Sequence, residues 1–209
     1  MDRKGILLVV SGFSGAGKGT LMKELVSRYD NYALSISATT RSPREGEVDG
    51  REYFFRTKEE FEQMIADEAL IEHACYVGNY YGTPRAYVEE QLALGRDVIL
   101  EIEIQGALPI KTRFPETLLL FVSTPDAETL KNRLIGRGTE SLDVVEKRLS
   151  RASEEAEGIE NYDYFIINDD LDTCVTQVHQ IIQGEHSRVS RNLELINTIK
   201  KDISKFQKG

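Results

Sequence analysis

Gly12, Gly15, Gly17 and Lys18 crowd into one short stretch directly after the apolar run Ile6-Leu7-Leu8-Val9-Val10. A continuous run of leucine and β-branched residues reads as a parallel strand buried on both faces. Glycines placed after it let the backbone curl so that successive N–H groups point into one concavity, and the helix that follows adds its positive N-terminal end. Lys18 then supplies a mobile point charge suited to the terminal phosphates of a nucleoside triphosphate. The stretch Gly12-Phe13-Ser14-Gly15-Ala16-Gly17-Lys18-Gly19-Thr20 is therefore read as a loop that cradles nucleotide phosphates.

Such loops usually end Gly-Lys-Ser/Thr, with the hydroxyl on Mg²⁺. Here Gly19 follows Lys18 and the hydroxyl comes one place later, at Thr20. Gly19 has no side chain to offer a metal, so no protein residue is assigned as a direct ligand. Mg²⁺ is expected to be held by phosphates and waters, with Thr20 the one candidate hydroxyl. Nucleoside monophosphate kinases are similar in this Gly-Lys-Gly-Thr form.

A second group of phosphate-suited residues lies in Ser35-Ile36-Ser37-Ala38-Thr39-Thr40-Arg41-Ser42-Pro43-Arg44-Glu45-Gly46-Glu47. Arg41 and Arg44 stand three residues apart, near Ser37 and followed by Tyr53. Guanidinium groups bind phosphate oxygens through paired N–H donors, and a tyrosine adds a hydroxyl. A second phosphate site is one reading of this stretch, and a solvated surface loop is the other.

These residues need a frame to hold them. Strand-like segments at 33–37, 96–104, 117–123 and 164–168 alternate with helix-like ones, beginning with 19–28. That alternation predicts an α/β fold, a parallel sheet covered by helices. Ligands of open α/β sheets sit at the carboxyl ends of the strands, where Gly12, Ser37, Glu101, Glu103 and Asn168 fall. Residues 38–89 break the rhythm with the arginine loop, a helix opened by the capping box Thr57-Lys58-Glu59-Glu60, a segment at 70–76 and a Gly/Asn/Tyr turn at 78–82. They are read as an inserted lobe. Residues 133–139, where Gly136 and Gly138 flank Arg137, are read as a loop able to close like a lid. The expected division is a core of 1–37, 90–132 and 150–186, a lobe of 38–89 and a lid of 133–149. Val189, Leu193, Ile196, Ile199, Ile203 and Phe206 mark residues 187–209 as an amphipathic helix with six basic and two acidic side chains. It is expected to pack on the acidic body or on another subunit rather than on membrane or nucleic acid.

The 209 residues suffice for one domain with insertions and a substantial core. A net charge of −9 argues against a protein that coats nucleic acid, and any anion-binding cleft must gather arginine and lysine locally against that field. No run approaches the ~20 apolar residues of a membrane span, and Met1-Asp2-Arg3-Lys4 leads straight into a strand rather than a signal peptide. Cys75 and Cys174 have neither metal nor redox spacing, and His73, His179 and His186 form no ligand pattern. The expectation is a cytoplasmic protein with no membrane or nucleic-acid partner.

Four motifs together, the 35–47 stretch, Asp49-Gly50-Arg51-Glu52-Tyr53-Phe54-Phe55, Gly78-Asn79-Tyr80-Tyr81-Gly82-Thr83 and Gly136-Arg137-Gly138-Thr139, resemble guanylate kinases, in order across 5–184. The resemblance implies a P-loop NTPase-type parallel sheet with a GMP-binding lobe and a lid. The implied activity is reversible phosphoryl transfer from ATP to GMP with Mg²⁺, a step of purine nucleotide metabolism and GMP recycling. By position it implies Ser37, Arg41, Arg44, Tyr53 and Tyr81 on the GMP phosphate, and Glu72, Thr83 and Glu103 on guanine. It puts Lys18 and its loop on the ATP phosphates, Arg133, Arg137 and Arg148 with Arg41 around the transferring group, Asn168 near adenine, and Glu101 toward a metal-bound water. The family often has Asp-Ile-Asp where this chain has Glu101-Ile102-Glu103, so each carboxylate is one methylene longer. The chemistry of the base agrees with the resemblance. Guanine presents N1–H and N2–H₂ side by side to a carboxylate, whereas adenine presents a bare N1, and a wrong base leaves buried groups unpaired. A kinase for another monophosphate and a non-catalytic module of the same fold are the rival readings, and homo-oligomerisation is left open.

Overall fold

The computed structural model describes residues 4–76, 78–136 and 142–206. The chain begins β1 (Leu7–Gly12), α1 (Lys18–Arg28) and β2 (Tyr32–Leu34), then leaves the main sheet. It returns through α3 (Arg85–Ala93) to β7 (Asp97–Glu101), α4 (Ile104–Arg113), β8 (Leu118–Ser123), α5 (Ala127–Gly136), α6 (Leu142–Ala156), β9 (Tyr164–Ile167) and α7 (Leu171–His186), and ends in α8 (Leu193–Lys205). Between β2 and α3 lie β3 (Ala38–Thr39), β4 (Phe54–Phe55), α2 (Lys58–Ala66), β5 (Leu70–Tyr76) and β6 (Asn79–Pro84).

The main sheet is parallel throughout, in the order β2-β7-β1-β8-β9. β1 is central, with Val9 opposite both Leu100 and Leu119. Its side chains alternate between two cores. Leu8 and Val10 pack with Leu21 and Leu25 of α1 and Val175 and Val178 of α7. Leu7 and Val9 pack with Val88 of α3 and Ala107 and Ile110 of α4. Burial on both faces is why the strand reads as an unbroken apolar run, and each such side chain contributes about 1.5–3 kcal/mol. At the opposite end of the sheet from the strand termini, the buried Asp97 carboxylate accepts from the Ile6 amide at 2.9 Å and the Asn31 side chain at 3.1 Å, and lies 2.8 Å from His186 Nε2. This ties α7 to β7 and β1.

The expected strand at 33–37 is instead two strands in two sheets. β2 stops at Leu34, and after Ser35 N–H donates to Ile99 O at 2.9 Å the chain crosses to the second sheet, where Ser37 O accepts from Phe54 N–H at 2.9 Å. That sheet has the order β4-β3-β6-β5 and is capped by Phe61 of α2 against Ala38 and Leu70. The capping box forms, with Thr57 Oγ1 accepting from Glu60 N–H at 3.1 Å and Glu60 Oε2 from Thr57 N–H at 2.8 Å. The segment 79–82 is strand rather than turn. Gly78 alone carries the left-handed φ of 75°, and β6 then pairs antiparallel with β5. The strand expected over 96–104 ends at Glu101, and α4 begins at Ile104. The expected loop at 133–139 is still helix through Gly136, so Arg133 occupies the last turn of α5, while Arg137 lies outside the described residues.

The terminal amphipathic helix is present as α8, and among the described residues most of its apolar face is uncovered. Val189 is 68% exposed and Phe206 86%, and Leu193, Leu195, Ile199 and Ile203 are also exposed.

Candidate active site

The phosphate loop is shaped by what its glycines approach. A Cβ on Gly12 would stand 2.1 Å from the Val122 carbonyl oxygen of β8, and one on Gly17 would stand 2.6 Å from Asn168 Nδ2. Gly17 also takes the left-handed conformation, φ 88°, that opens α1. The loop is fastened at two other points. The Phe13 ring sits edge-on to Phe121 at 5.0 Å, and Asn168 Nδ2 donates to Ala16 O at 2.8 Å. Asn168 thus braces the loop through its amide nitrogen, and it also lines the hollow on that flank. Lys18 curls back over the loop, its Nζ donating to Gly12 O at 2.6 Å and Phe13 O at 3.2 Å.

Above the ends of β1, β2 and β7 lies a cleft of about 620 Å³ lined by Gly12, Ser14, Lys18, Ser37, Tyr53, Glu101, Glu103 and Arg148, among others. Arg148 of α6 donates to Ser14 Oγ at 3.3 Å, which brings the expected lid helix onto the phosphate loop. On the other flank of the loop, Gly15, Gly17, Thr20, Arg133 and Asn168 line a second hollow of about 440 Å³.

Glu101 stands beside the position where the usual hydroxyl would be, its carboxylate oxygens 3.8 and 3.9 Å from where a Cβ on Gly19 would lie, an ordinary contact distance. Burial pushes the Glu101 carboxyl above the ordinary carboxylate range, and the neighbouring Lys18 opposes that rise. Magnesium takes oxygen ligands and retains several waters. Glu101 fits that chemistry from within the main cleft, whereas Thr20 lines the second hollow. Among the described residues, no group of three or more His, Cys, Asp or Glu is placed to cage an ion.

The second phosphate-suited group assembles at the mouth of the β3–β6 sheet. The Arg41 guanidinium lies over the Tyr53 ring at 5.3 Å, and Tyr53 meets Tyr81 edge-on at 6.1 Å. Arg44 is exposed on the same loop. Glu72 of β5 is set deeper, where Thr83 Oγ1 donates to its Oε1 at 2.7 Å. Its other oxygen faces Gly106 in the first turn of α4, whose N-cap is Glu103. Glu72 from β5 thus reaches the first turn of α4, and Glu103, the N-cap residue of that helix, lines the main cleft. Burial raises the Glu72 carboxyl above its ordinary range, while hydrogen bonds from the Thr83 hydroxyl and amide pull it back.

Two residues escaped the sequence reading. Glu47 holds the Arg41 guanidinium with both carboxylate oxygens, at 2.9 and 3.0 Å. Glu155, which belongs to the acidic run 154–157, is only 8% exposed and lines the main cleft. Its spacing from Arg148, two helical turns, was the available signal, since i and i+7 share one face of a helix.

A family model described as guanylate kinase matches residues 4–185. The guanylate kinase of Bacillus anthracis is 53% identical over 191 residues, covering 91% of this chain and 93% of its own. That of Clostridioides difficile is 53% identical over 194 residues, covering 93% and 95%. The crystal structure of guanylate kinase from Anaplasma phagocytophilum, 30% identical, superposes with a TM-score of 0.71 over 90% of this chain and 89% of that one.

The raised carboxyl of Glu72 predicts a sign for stability. A carboxyl that ionises less readily folded than unfolded makes the folded state lose ground as pH rises through the ordinary carboxylate range. Glu72→Gln keeps an acceptor for Thr83 and removes the buried charge. It should therefore raise Tm at pH 8, by about 2–4 °C for each kcal/mol relieved, and the difference should vanish near pH 3.5. Thermal melts across this range check it, and a lower Tm at pH 8 would mean that a cation neutralises Glu72 in the folded state.

Proposed function

We propose a division of labour within the cleft from one premise: the chain belongs to the guanylate kinase family. Its reaction is reversible transfer of the γ-phosphoryl group of ATP to GMP, giving ADP and GDP. The observation that carries the reading is that groups from both phosphate-suited stretches, Lys18 and Ser14 from one, Ser37 and the Arg41-stacked Tyr53 from the other, line one cleft. A donor phosphate on the first set and an acceptor phosphate on the second face each other across it.

Phosphoryl transfer leaves little covalent work to the protein, and catalysis comes from alignment and from neutralising the charge of the transferring oxygens. Lys18 exchanges the Gly12 and Phe13 carbonyls for phosphate oxygens. Ser37, Arg41, Arg44, Tyr53 and Tyr81 hold the GMP phosphate. Glu72 and Glu103 accept from guanine N1–H and N2–H₂, with Thr83 orienting Glu72. Arg148, already against Ser14, joins Arg133 and Arg137 around the transferring group when residues 133–149 close over the core, and the same closure excludes water. Mg²⁺ bound with ATP neutralises charge on the β- and γ-phosphates, and Glu101 is the residue suited to holding one of its waters. In this scheme residues 38–89 are the GMP lobe and 5–184 the whole catalytic unit. Asn168 serves the nucleotide indirectly, through the Ala16 carbonyl that it holds.

Among the described residues no helix is long and apolar enough to cross a membrane, and the free thiols of Cys75 and Cys174 suit the reducing cytoplasm. The uncovered apolar stripe of α8 is read as a contact with a second copy of this chain. Residues 187–209 carry six basic and two acidic side chains, which leaves 20 basic and 33 acidic ones on the remaining chain, so a basic helix meets an acidic body.

Lys18→Met should abolish turnover while leaving Tm unchanged, because the ammonium acts on phosphate and not in the core. Arg41→Lys keeps the charge and loses the fork. It should raise the KM for GMP about ten- to a hundredfold, the loss of one charge-assisted hydrogen bond, with the KM for ATP unaffected. Steady-state kinetics on both variants check this, and parent-like turnover in Lys18→Met would remove the loop from the reaction. In sedimentation equilibrium the full chain should dimerise less tightly as salt rises, and Ile199→Asp with Phe206→Asp should be monomeric with parent kcat. A parent that stays monomeric at 100 µM, or a dimer that salt strengthens, would contradict the α8 contact.

A further inference from the structure

Most ion pairs of the 38–84 region are solvent-washed, as Arg51–Glu52 and Arg56–Asp49 are. The Arg41–Glu47 pair differs, with side chains only 16% and 18% exposed. Nη2 of Arg41 donates to Glu47 Oε1 at 2.9 Å and Oε2 at 3.0 Å, and Nη1 donates to Ser42 O at 2.8 Å. The guanidinium also lies over two rings, 5.3 Å from the centroid of Tyr53 and 5.8 Å from that of Phe55. Glu47 does a second job with the same carboxylate. Its Oε2 accepts the Arg44 backbone N–H at 2.7 Å, and its own N–H returns to Arg44 O at 3.1 Å. One acid therefore pins the guanidinium plane of one arginine and the backbone of the other.

A free arginine samples many rotamers, and an anion that captures it must freeze them; a guanidinium frozen beforehand loses less on binding. The three donor contacts fall on Nη1 and Nη2, and none of them uses the Nε–H. The two arginines differ in how they are held: Arg41 through its side chain, Arg44 through its main chain, which fixes where an exposed side chain begins.

We propose that Glu47 is a positioning residue for the acceptor nucleotide, presetting Arg41 and the Arg44 backbone so that both guanidinium groups meet the GMP phosphate. The inference rests on the reading of Arg41 as a phosphate ligand. The Arg41 and Arg44 contacts also hold the Glu47 carboxyl below its ordinary range, so the grip persists across neutral and mildly acid pH. Glu47 touches no reacting atom in this scheme and acts only through its two partners.

The test compares GMP with guanosine, which lacks the phosphate, as ligands of the full chain in the absence of ATP. Calorimetry serves for GMP and NMR titration for guanosine. Glu47→Gln should weaken GMP roughly tenfold, leave guanosine unchanged, and leave kcat at saturating GMP near the parent value. Glu47→Asp keeps the charge but withdraws it by one methylene, and should also weaken GMP. Adding Glu47→Gln to Arg41→Ala should weaken GMP less than it does in the parent, because much of its effect runs through Arg41. Unchanged or tighter GMP binding in Glu47→Gln overturns the proposal, the latter by showing that the carboxylate competes with phosphate. Equal weakening of guanosine overturns it as well, since that is what general damage to the lobe would do. Parent-like GMP affinity in Glu47→Asp would show that charge alone suffices. The control separates two failures: if Arg41→Ala leaves GMP affinity intact, the phosphate-site reading fails, whereas a loss in Arg41→Ala with none in Glu47→Gln defeats only the role of Glu47.

Discussion

Two polyanions must be held side by side by a chain whose own net charge is −9. Coulomb repulsion between the phosphates, and between phosphates and protein, can be overcome only where cations and backbone N–H groups are concentrated and aimed. The structure gives three of those cations a local acceptor. Lys18 rests on the Gly12 and Phe13 carbonyls, Arg41 on Glu47, and Arg148 on the Ser14 hydroxyl. Each acceptor lies on the same loop as its cation or on the phosphate loop itself. The charges are therefore held close to where phosphate oxygens arrive, and exchanging one acceptor for another needs little movement.

The sheet exists to make that concentration possible. A Cβ on Gly12 would stand 2.1 Å from the Val122 carbonyl oxygen of β8, so the curl of the phosphate loop depends on the β1–β8 pairing as much as on its own glycines. Phe121, also of β8, and Asn168, just after β9, fasten it at two further points. The acids follow a different rule. Desolvation disfavours the charge of the half-buried Glu72 and, at the more open end of β7, of Glu101, and each has a neighbour that opposes this, Thr83 in one case and Lys18 in the other.

Sequence alone made the parallel sheet legible, because strands buried on both faces leave unbroken apolar runs such as 6–10 and 118–122. The phosphate loop was legible for the same reason that it works, since glycine is required at fixed places. The crossing at Ser35–Ser37 was not, because a strand that changes sheets has the same composition as one that continues. The segment 79–82 reads as a turn because Gly78 and Gly82 are turn residues, yet Asn79, Tyr80, Tyr81 and Gly82 all pair with β5. Glu47 was hidden within a polar loop whose pairings are three-dimensional. Glu72 could be assigned to a base only through resemblance, as nothing in its neighbours along the chain marks it as buried. The amphipathic face of α8 was plain from periodicity, but periodicity does not say what covers a face.

The central claim is that one cleft joins two phosphate sites to an acid pair that reads guanine. The most direct measurement is ADP release from ATP and Mg²⁺ by the full chain, with GMP, AMP, CMP and UMP compared as acceptors at equal concentration. A site that hydrogen-bonds the base edge should favour GMP by about 10³-fold or more in kcat/KM. Turnover of AMP within tenfold of GMP would contradict the role of Glu72 and Glu103, and ADP release that no acceptor stimulates would contradict phosphoryl transfer itself.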